Sequence, residues 1–274
     1  MLQVLAVPPS LSPWLDGAVI VRMGADQRES RFPAMPRAML AMQLARPGDR
    51  AWCIAQPPTF HALSTAPTTH EHAGAITALG LIVRPAAAAC LLGPAGGSLT
   101  NQALPWAAVV GEAEAARLTQ HLQGADTELG FLQLLMASFG RAMSRVAPEH
   151  WHDTVQLCDA VAAHGARAGE LLGIGRRQLE RRCMKVLGVS PKHFERLERF
   201  HRALTAVVTQ DTSSLAQESI DAGYYDQSHL ALEARTLAGA SVLALKSQAA
   251  PHTAWWALST PRALQVAACD PLPP

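Results

Sequence analysis

The stretch 173–187, GIGRRQLERRCMKVL, with its continuation GVSPKHFERLERFHRAL, leaves few folds open to this chain. At about 100° per residue, Leu179, Cys183, Val186 and Leu187 share one side of a helix, and Arg177, Gln178, Arg181 and Lys185 share the other. One side packs and the other carries cations. Upstream, 168–172 is a short helical run that Gly173 stops. The turn Gly173, Ile174, Gly175 brings one apolar side chain to bury between two helices, as in a helix-turn-helix. Downstream, Ser190 caps and Pro191 opens a further helix running to about residue 208.

Charge follows the same division. The whole chain carries a formal net charge of only +1. Residues 175–202, however, hold nine Lys/Arg against three Glu, a net of +6, and residues 211–246 hold two against five acids, a net of −3. A basic footprint confined to the first motif and the linking helix suits a polyanion, and double-stranded DNA is the expected partner.

The string RRQLERRCMKVLGVSPKHFERLERFHRAL and, at 215–230, LAQESIDAGYYDQSHL resemble the DNA-binding domain of the AraC-type transcription regulators, over 153–247. The resemblance implies two helix-turn-helix motifs joined by one long helix. It also implies that Arg177, Glu180 and Arg181 touch bases while Arg176 and Gln178 meet phosphates. Lys185, on the cationic side, and Lys192, at the start of the linking helix, complete the first DNA-facing set. LSPWLDGAVIVRM, FPAMPRAML and ALGLIVRPAAAACLLG resemble the N-terminal domain that one branch of these regulators carries, which implies binding of a small effector there.

In the second motif, Gly223 supplies the turn and Asp226 caps a helix beginning at Gln227, so Gln227, Ser228 and His229 point outward from its first turn. The chain departs from the family at Leu232, Ala234 and Val242, where Arg, an aromatic residue and Pro are usual. With that Arg absent and the local charge negative, the second motif is expected to support the first and to read little.

With 274 residues and nearly half of them hydrophobic, the chain has room for two cores. The predicted fold class is α+β, with a β-rich, barrel-like N-terminal domain carrying two helices and an all-α C-terminal domain. The expected boundaries are 1–147 for effector binding and dimerisation, 148–250 for DNA binding and 251–274 for a tail. Strands are predicted at 18–23, 38–44, 51–55 and 75–83, separated by turn signals. Pro85 then opens a short Ala-rich helix ended by Gly93, with a loop at Gly96 and Gly97. One helix is predicted from about 105 to 123 and a second after Asp126, whose stripe Leu129, Leu132, Leu135, Met136 and Phe139 needs either the β domain or a second subunit to cover it. Self-association to a homodimer through 126–146 follows as an expectation.

Other chemistry finds little support. No basic and apolar leader and no apolar run of eighteen residues occur, which predicts a cytoplasmic protein without membrane attachment. The five cysteines are scattered and form no CxxC pair, as expected of reduced, mostly buried thiols. No GxSxG, P-loop or dinucleotide glycine pattern is present, so neither enzymatic activity nor a cofactor is expected. The pair Trp255 and Trp256 suits covering the edge of its own domain. His70 and His72 resemble the HxH of metal-binding barrels, but the small polar residues around them suit surface histidines on a hairpin tip. The rival to a regulator is therefore a ligand- or metal-binding barrel, or an enzyme, with the helical domain as an interaction module.

Overall fold

The computed structural model describes residues 2–46, 48, 51–209 and 215–247; Trp255, Trp256 and Cys269 lie outside the described residues. Strands β1 (Leu2–Leu5), β2 (Leu15–Met23), β3 (Glu29–Phe32), β4 (Ala38–Ala45), β5 (Cys53–His61), β6 (Thr68–Glu71) and β7 (Ile76–Val83) come first. They are followed by helix α1 (Pro85–Leu92), a 3-10 turn (Gly93–Leu99), strand β8 (Ala103–Pro105) and helices α2 (Trp106–Val110), α3 (Glu112–Leu122) and α4 (Glu128–Met143). The remainder is helical: α5 (Pro148–His164), α6 (Ala168–Leu171), α7 (Arg176–Leu187), α8 (Pro191–Thr209), α9 (Leu215–Asp221), α10 (Gln227–Ala238) and α11 (Val242–Ser247). The α+β class and its division into a β-rich and a helical half are those predicted.

Six strands form one antiparallel sheet in the order β1-β2-β7-β4-β5-β8, and β3 and β6 form a separate antiparallel ribbon. Strand periodicity sorts the side chains between two cores. Ala18 and Ile20 of β2, Leu40 and Met42 of β4, and Leu79 and Leu81 of β7 face the helices α1, α2, α3 and α4. Val19, Val21 and Met23, with Ile76 and Ile82, face the opposite way and pack with Phe32 and Met39 on the ribbon side. The barrel is thus an open one, with helices closing one face and a short ribbon the other.

Several boundaries differ from expectation for identifiable reasons. The strand predicted at 51–55 runs from Cys53 to His61 across Pro57 and Pro58. Opposite these prolines the β4 register shifts between Ala41 and Gln43, so no ladder bond is asked of the missing N–H groups. The helix predicted from 105 to 123 is two helices, because Gly111 adopts φ +86° between Val110 and Glu112. Strands β3 and β6, ESRF and TTHE, carry too few apolar residues to signal themselves.

The α4 stripe is covered from within the chain. Leu132, Leu135, Met136 and Phe139 are at most 4% exposed in the core shared with the sheet, Leu129 is half-buried against that core, and Phe131 joins them at 2%, so a second subunit is not required to bury them. Trp106 lies stacked between Phe60 and Phe139, at ring-centroid distances of 6.0 and 6.4 Å. Its indole N–H donates to Ser138 Oγ at 3.0 Å, Ser138 donates to Glu114 at 2.9 Å, and Arg141 closes the chain on Glu114 at 2.7 Å. Phe139→Ala is expected to cost about 3–5 kcal/mol, read as a lower denaturation midpoint in chemical unfolding with the slope unchanged.

Helix α5 packs against α1 of the first half and against α8 of the second. The helical half has its own core, formed by Leu157 and Val161 of α5, Leu179 and Cys183 of α7, Phe194, Leu197 and Phe200 of α8, and Leu230, Ala234 and Leu237 of α10. Ala34, Leu63 and Ala86 of the first half belong to that same core. No helix among the described residues is long and apolar enough to cross a membrane.

Candidate nucleic-acid interface

Helix α7 is set by the turn before it and the stop after it. Gly173 at φ +62° ends the short α6 helix, the Ile174 N–H donates to the Gly169 carbonyl at 2.9 Å, and Gly188 at φ +71° closes α7. Leu179 and Cys183 are fully buried and Leu187 is 5% exposed. Burial pushes the Cys183 thiol up to about 11, so it packs as a small apolar group. With that face fixed inward, Arg176, Arg177, Gln178, Glu180, Arg181 and Lys185 are all exposed, as is Lys192 on α8. The Arg177 and Arg181 side chains make no hydrogen bond or ion pair with any described residue, whereas Arg176 donates to Glu180 at 3.2 Å. Glu180 is therefore already partnered within its own helix.

Helix α8 starts as predicted, with Ser190 Oγ accepting from the His193 N–H at 3.2 Å. It carries three of the basic segment's charges inward. Arg196 donates to Glu233 at 2.6 Å, Arg199 lies 3.7 Å from the same carboxylate, and Glu198 accepts from Arg37 of the first half at 2.6 Å. Glu233 is 5% exposed and also accepts from the Tyr224 hydroxyl at 2.8 Å. One of the acids that makes the second motif look anionic in sequence is thus buried and neutralised.

The second motif forms where predicted. Gly223 turns at φ +87°, Asp226 caps α10 by accepting from the His229 N–H at 2.8 Å, and Gln227, Ser228 and His229 are exposed. The His229 ring packs edge-on against Tyr224 at 5.2 Å. Leu232, Arg235 and Tyr225 are exposed beside them, Leu232 at 64% and Tyr225 at 90%. Arg235 and Tyr225 escape a reading based on the first turn alone.

The first half grips both helices from behind. Thr100 Oγ donates to the Leu187 carbonyl at 3.0 Å, and a Cβ on Gly97 would lie 2.9 Å from the Lys185 carbonyl oxygen and closer still to that of Met184. At α10, the Ala34 N–H donates to the Leu237 carbonyl at 2.6 Å. Arg37 joins Glu198 to Asp16, which in turn accepts from Arg84 at 2.9 Å. Both grips fall at helix C-terminal ends and leave the N-terminal ends open.

The first half also holds a cleft of about 650 Å³, bounded by Phe32, Met35, Met39, His61, His70 and Asn101. A second cavity of about 440 Å³ shares His61, His70, Phe32 and Met39 with it and reaches His72. Here the reading of His70 and His72 as surface residues is corrected. Alternate positions on the ribbon aim both rings inward, and His72 is 9% exposed with Nε2 2.8 Å from Ser30 Oγ. His61 and His70 meet edge to face at 5.2 Å. Burial and the neighbouring His70 push His61 down to about 4, and burial lowers His70 and His72, so near neutral pH the rings are uncharged hydrogen-bonding groups. Among the described residues no three His, Cys, Asp or Glu side chains converge on a metal-binding point.

Residues 169–248 match a family model described as a helix-turn-helix domain. Among solved structures, the chain is similar to ToxT of Vibrio cholerae, at 12% identity over 83% of this chain and 96% of that one, with a TM-score of 0.45. ToxT bound to (E)-4-(8-methylnaphthalen-1-yl)but-3-enoic acid matches at 12% identity over 83% and 98%, with a TM-score of 0.43. ToxT with a bound unsaturated fatty acid matches at 9% identity over 83% and 94%, with a TM-score of 0.42. No curated protein matches the chain.

Residues 169–248 thus form a helix-turn-helix domain that presents a basic, outward-facing helix, the arrangement that binds DNA. Two such motifs, α6–α7 and α9–α10, hang on the one long helix α8 at the C-terminal end of the described chain.

Proposed function

We propose that this chain is a cytoplasmic, one-component regulator in which α7 does most of the DNA reading and the open barrel senses a small effector. The observation that carries the reading is the pair Arg177 and Arg181, four apart on one face, exposed, and without partners among the described residues. Each guanidinium matches the O6 and N7 of a guanine in the major groove. Arg176, Gln178, Lys185 and Lys192 flank them and suit phosphates, which position the protein and carry no sequence information. Glu180 would have to leave Arg176 to reach a base. Gln227, Ser228 and His229 bring the second helix to a neighbouring groove. The domain boundaries proposed remain 1–147, 148–250 and 251–274. A homodimer would join through a face other than the α4 stripe.

The effector reading rests on the cleft, whose lining sets apolar Phe32, Met35 and Met39 beside the polar groups of His61, His70 and Asn101, as small-molecule sites do. Its wall includes Met35, Arg37 and Ala38, on the segment that reaches Leu237 through Ala34 and Glu198 through Arg37. A ligand there acts on the grip between the halves without touching DNA.

Selection of bound fragments from random-sequence DNA tests the reading, because a regulator enriches one motif and an interaction module enriches none. Lys192→Ala is expected to weaken specific and scrambled duplexes alike and to flatten the dependence of affinity on salt by about one unit of log–log slope, the signature of one lost phosphate contact. Titrations at several salt concentrations measure both.

A further inference from the structure

The two recognition helices repeat one burial register. In α7 the inward positions are Leu179, Cys183 and the half-buried Val186, and in α10 they are Leu230, Ala234 and Leu237 with the same spacing. Aligning the two sets places Gln227 at the position of Arg176, Ser228 at that of Arg177 and Leu232 at that of Arg181. Rotation of α10 about its axis is fixed independently. Glu233 is buried and held by Arg196, Arg199 and Tyr224, and Leu230 and Ala234, each two residues from Leu232, are buried too, so Leu232 faces away from the core. It is 64% exposed there, in a stripe with Ser228 one turn before it and Arg235 one turn after it, both also exposed.

We propose that Leu232 is a specificity-determining residue that recognises the 5-methyl group of a thymine in the major groove entered by α10. The inference rests on the DNA-binding role proposed above and adds what the second helix reads. A leucine offers no hydrogen bond to a base edge, and the only apolar group that B-DNA displays in the major groove is the thymine methyl. Ser228 then faces the neighbouring base step and Arg235 the backbone. This assignment replaces a second helix that merely supports the first with one that selects thymine by contact. It does not depend on net charge, because a methyl contact loses nothing beside Asp226 or the neutralised Glu233.

The test uses the full chain and the duplex recovered by selection, with each thymine of the α10 groove replaced in turn by uracil, which removes only the methyl. One position is expected to weaken binding about fourfold, the worth of one buried methyl group. In Leu232→Ala, uracil and thymine at that position should bind equally, while uracil substitution elsewhere behaves as in the wild type. Leu232 is exposed, so this variant is expected to fold, and an unchanged melting curve verifies it. If no uracil in that groove weakens wild-type binding, or if the fourfold loss persists in Leu232→Ala, the assignment is overturned while the DNA-binding role stands. If selection yields no enriched duplex at all, it is the DNA-binding role that fails.

Discussion

Arg181→Ala is expected to lose discrimination between its specific duplex and a scrambled one by about 1–3 kcal/mol, because a bidentate contact from Arg to guanine carries that much selectivity. Non-specific affinity should fall far less. Arg181 is exposed and has no partner among the described residues, so nothing in the fold is lost with its guanidinium. Arg177→Ala is expected to behave in the same way and to cost more affinity than replacing Gln227 and His229 together, since the His229 ring is already engaged with Tyr224. Paired titrations on matched and scrambled duplexes measure both. Equal losses on the two duplexes would assign Arg181 to the phosphates.

The second large effect concerns the grip on α7. Gly97→Val inserts side-chain atoms where the nearest neighbours are the backbone carbonyls of Met184 and Lys185 and the N–H of Gly188, and backbone at a closed helix end cannot step aside as a flexible side chain does. Overpacking of this kind costs about 1–3 kcal/mol. The cost falls on the docking of the two halves, because Gly97 belongs to the 3-10 turn and not to the core of either. Amide exchange at the C-terminal end of α7 should accelerate, and the radius of gyration should rise, with each core melting as before. Unchanged exchange and radius would mean that the 3-10 turn yields and the grip is not specific.

What was legible in the sequence follows from how local its cause is. The limits of α7 and α8 are written in residues that act on their own neighbours: Gly173, Gly188, and Ser190 followed by Pro191. Strands β2, β4 and β7 announce themselves as short apolar runs, because their alternate residues serve two cores at once. The exposed cationic face of α7 was legible for the same reason, since a buried Leu179 and Cys183 leave Arg177 and Arg181 no side but the outside.

What escaped depends on distant partners. Glu233 counts as a repelling charge in sequence, yet Arg196 and Arg199, on the previous long helix, neutralise it. Arg37 and Glu198 lie far apart along the chain and meet only when the two halves dock. Gly97 reads, like Gly96, as part of an ordinary loop, because the close approach that requires it comes from α7. His70 sits on a ribbon strand of four residues and His72 just past its end, and the partner strand, β3, gives little signal of its own, so nothing in sequence says which side of them faces in.

Protection of guanine N7 from methylation tests the central claim most directly, because Arg177 and Arg181 are placed to cover that atom and the second helix, with Leu232 at its middle, is not. On the selected duplex, protected guanines should lie in one major groove only, and each should become reactive again in either Arg177→Ala or Arg181→Ala. Guanines protected equally in two adjacent grooves, or protection that survives both substitutions, would contradict the assignment of the reading to α7.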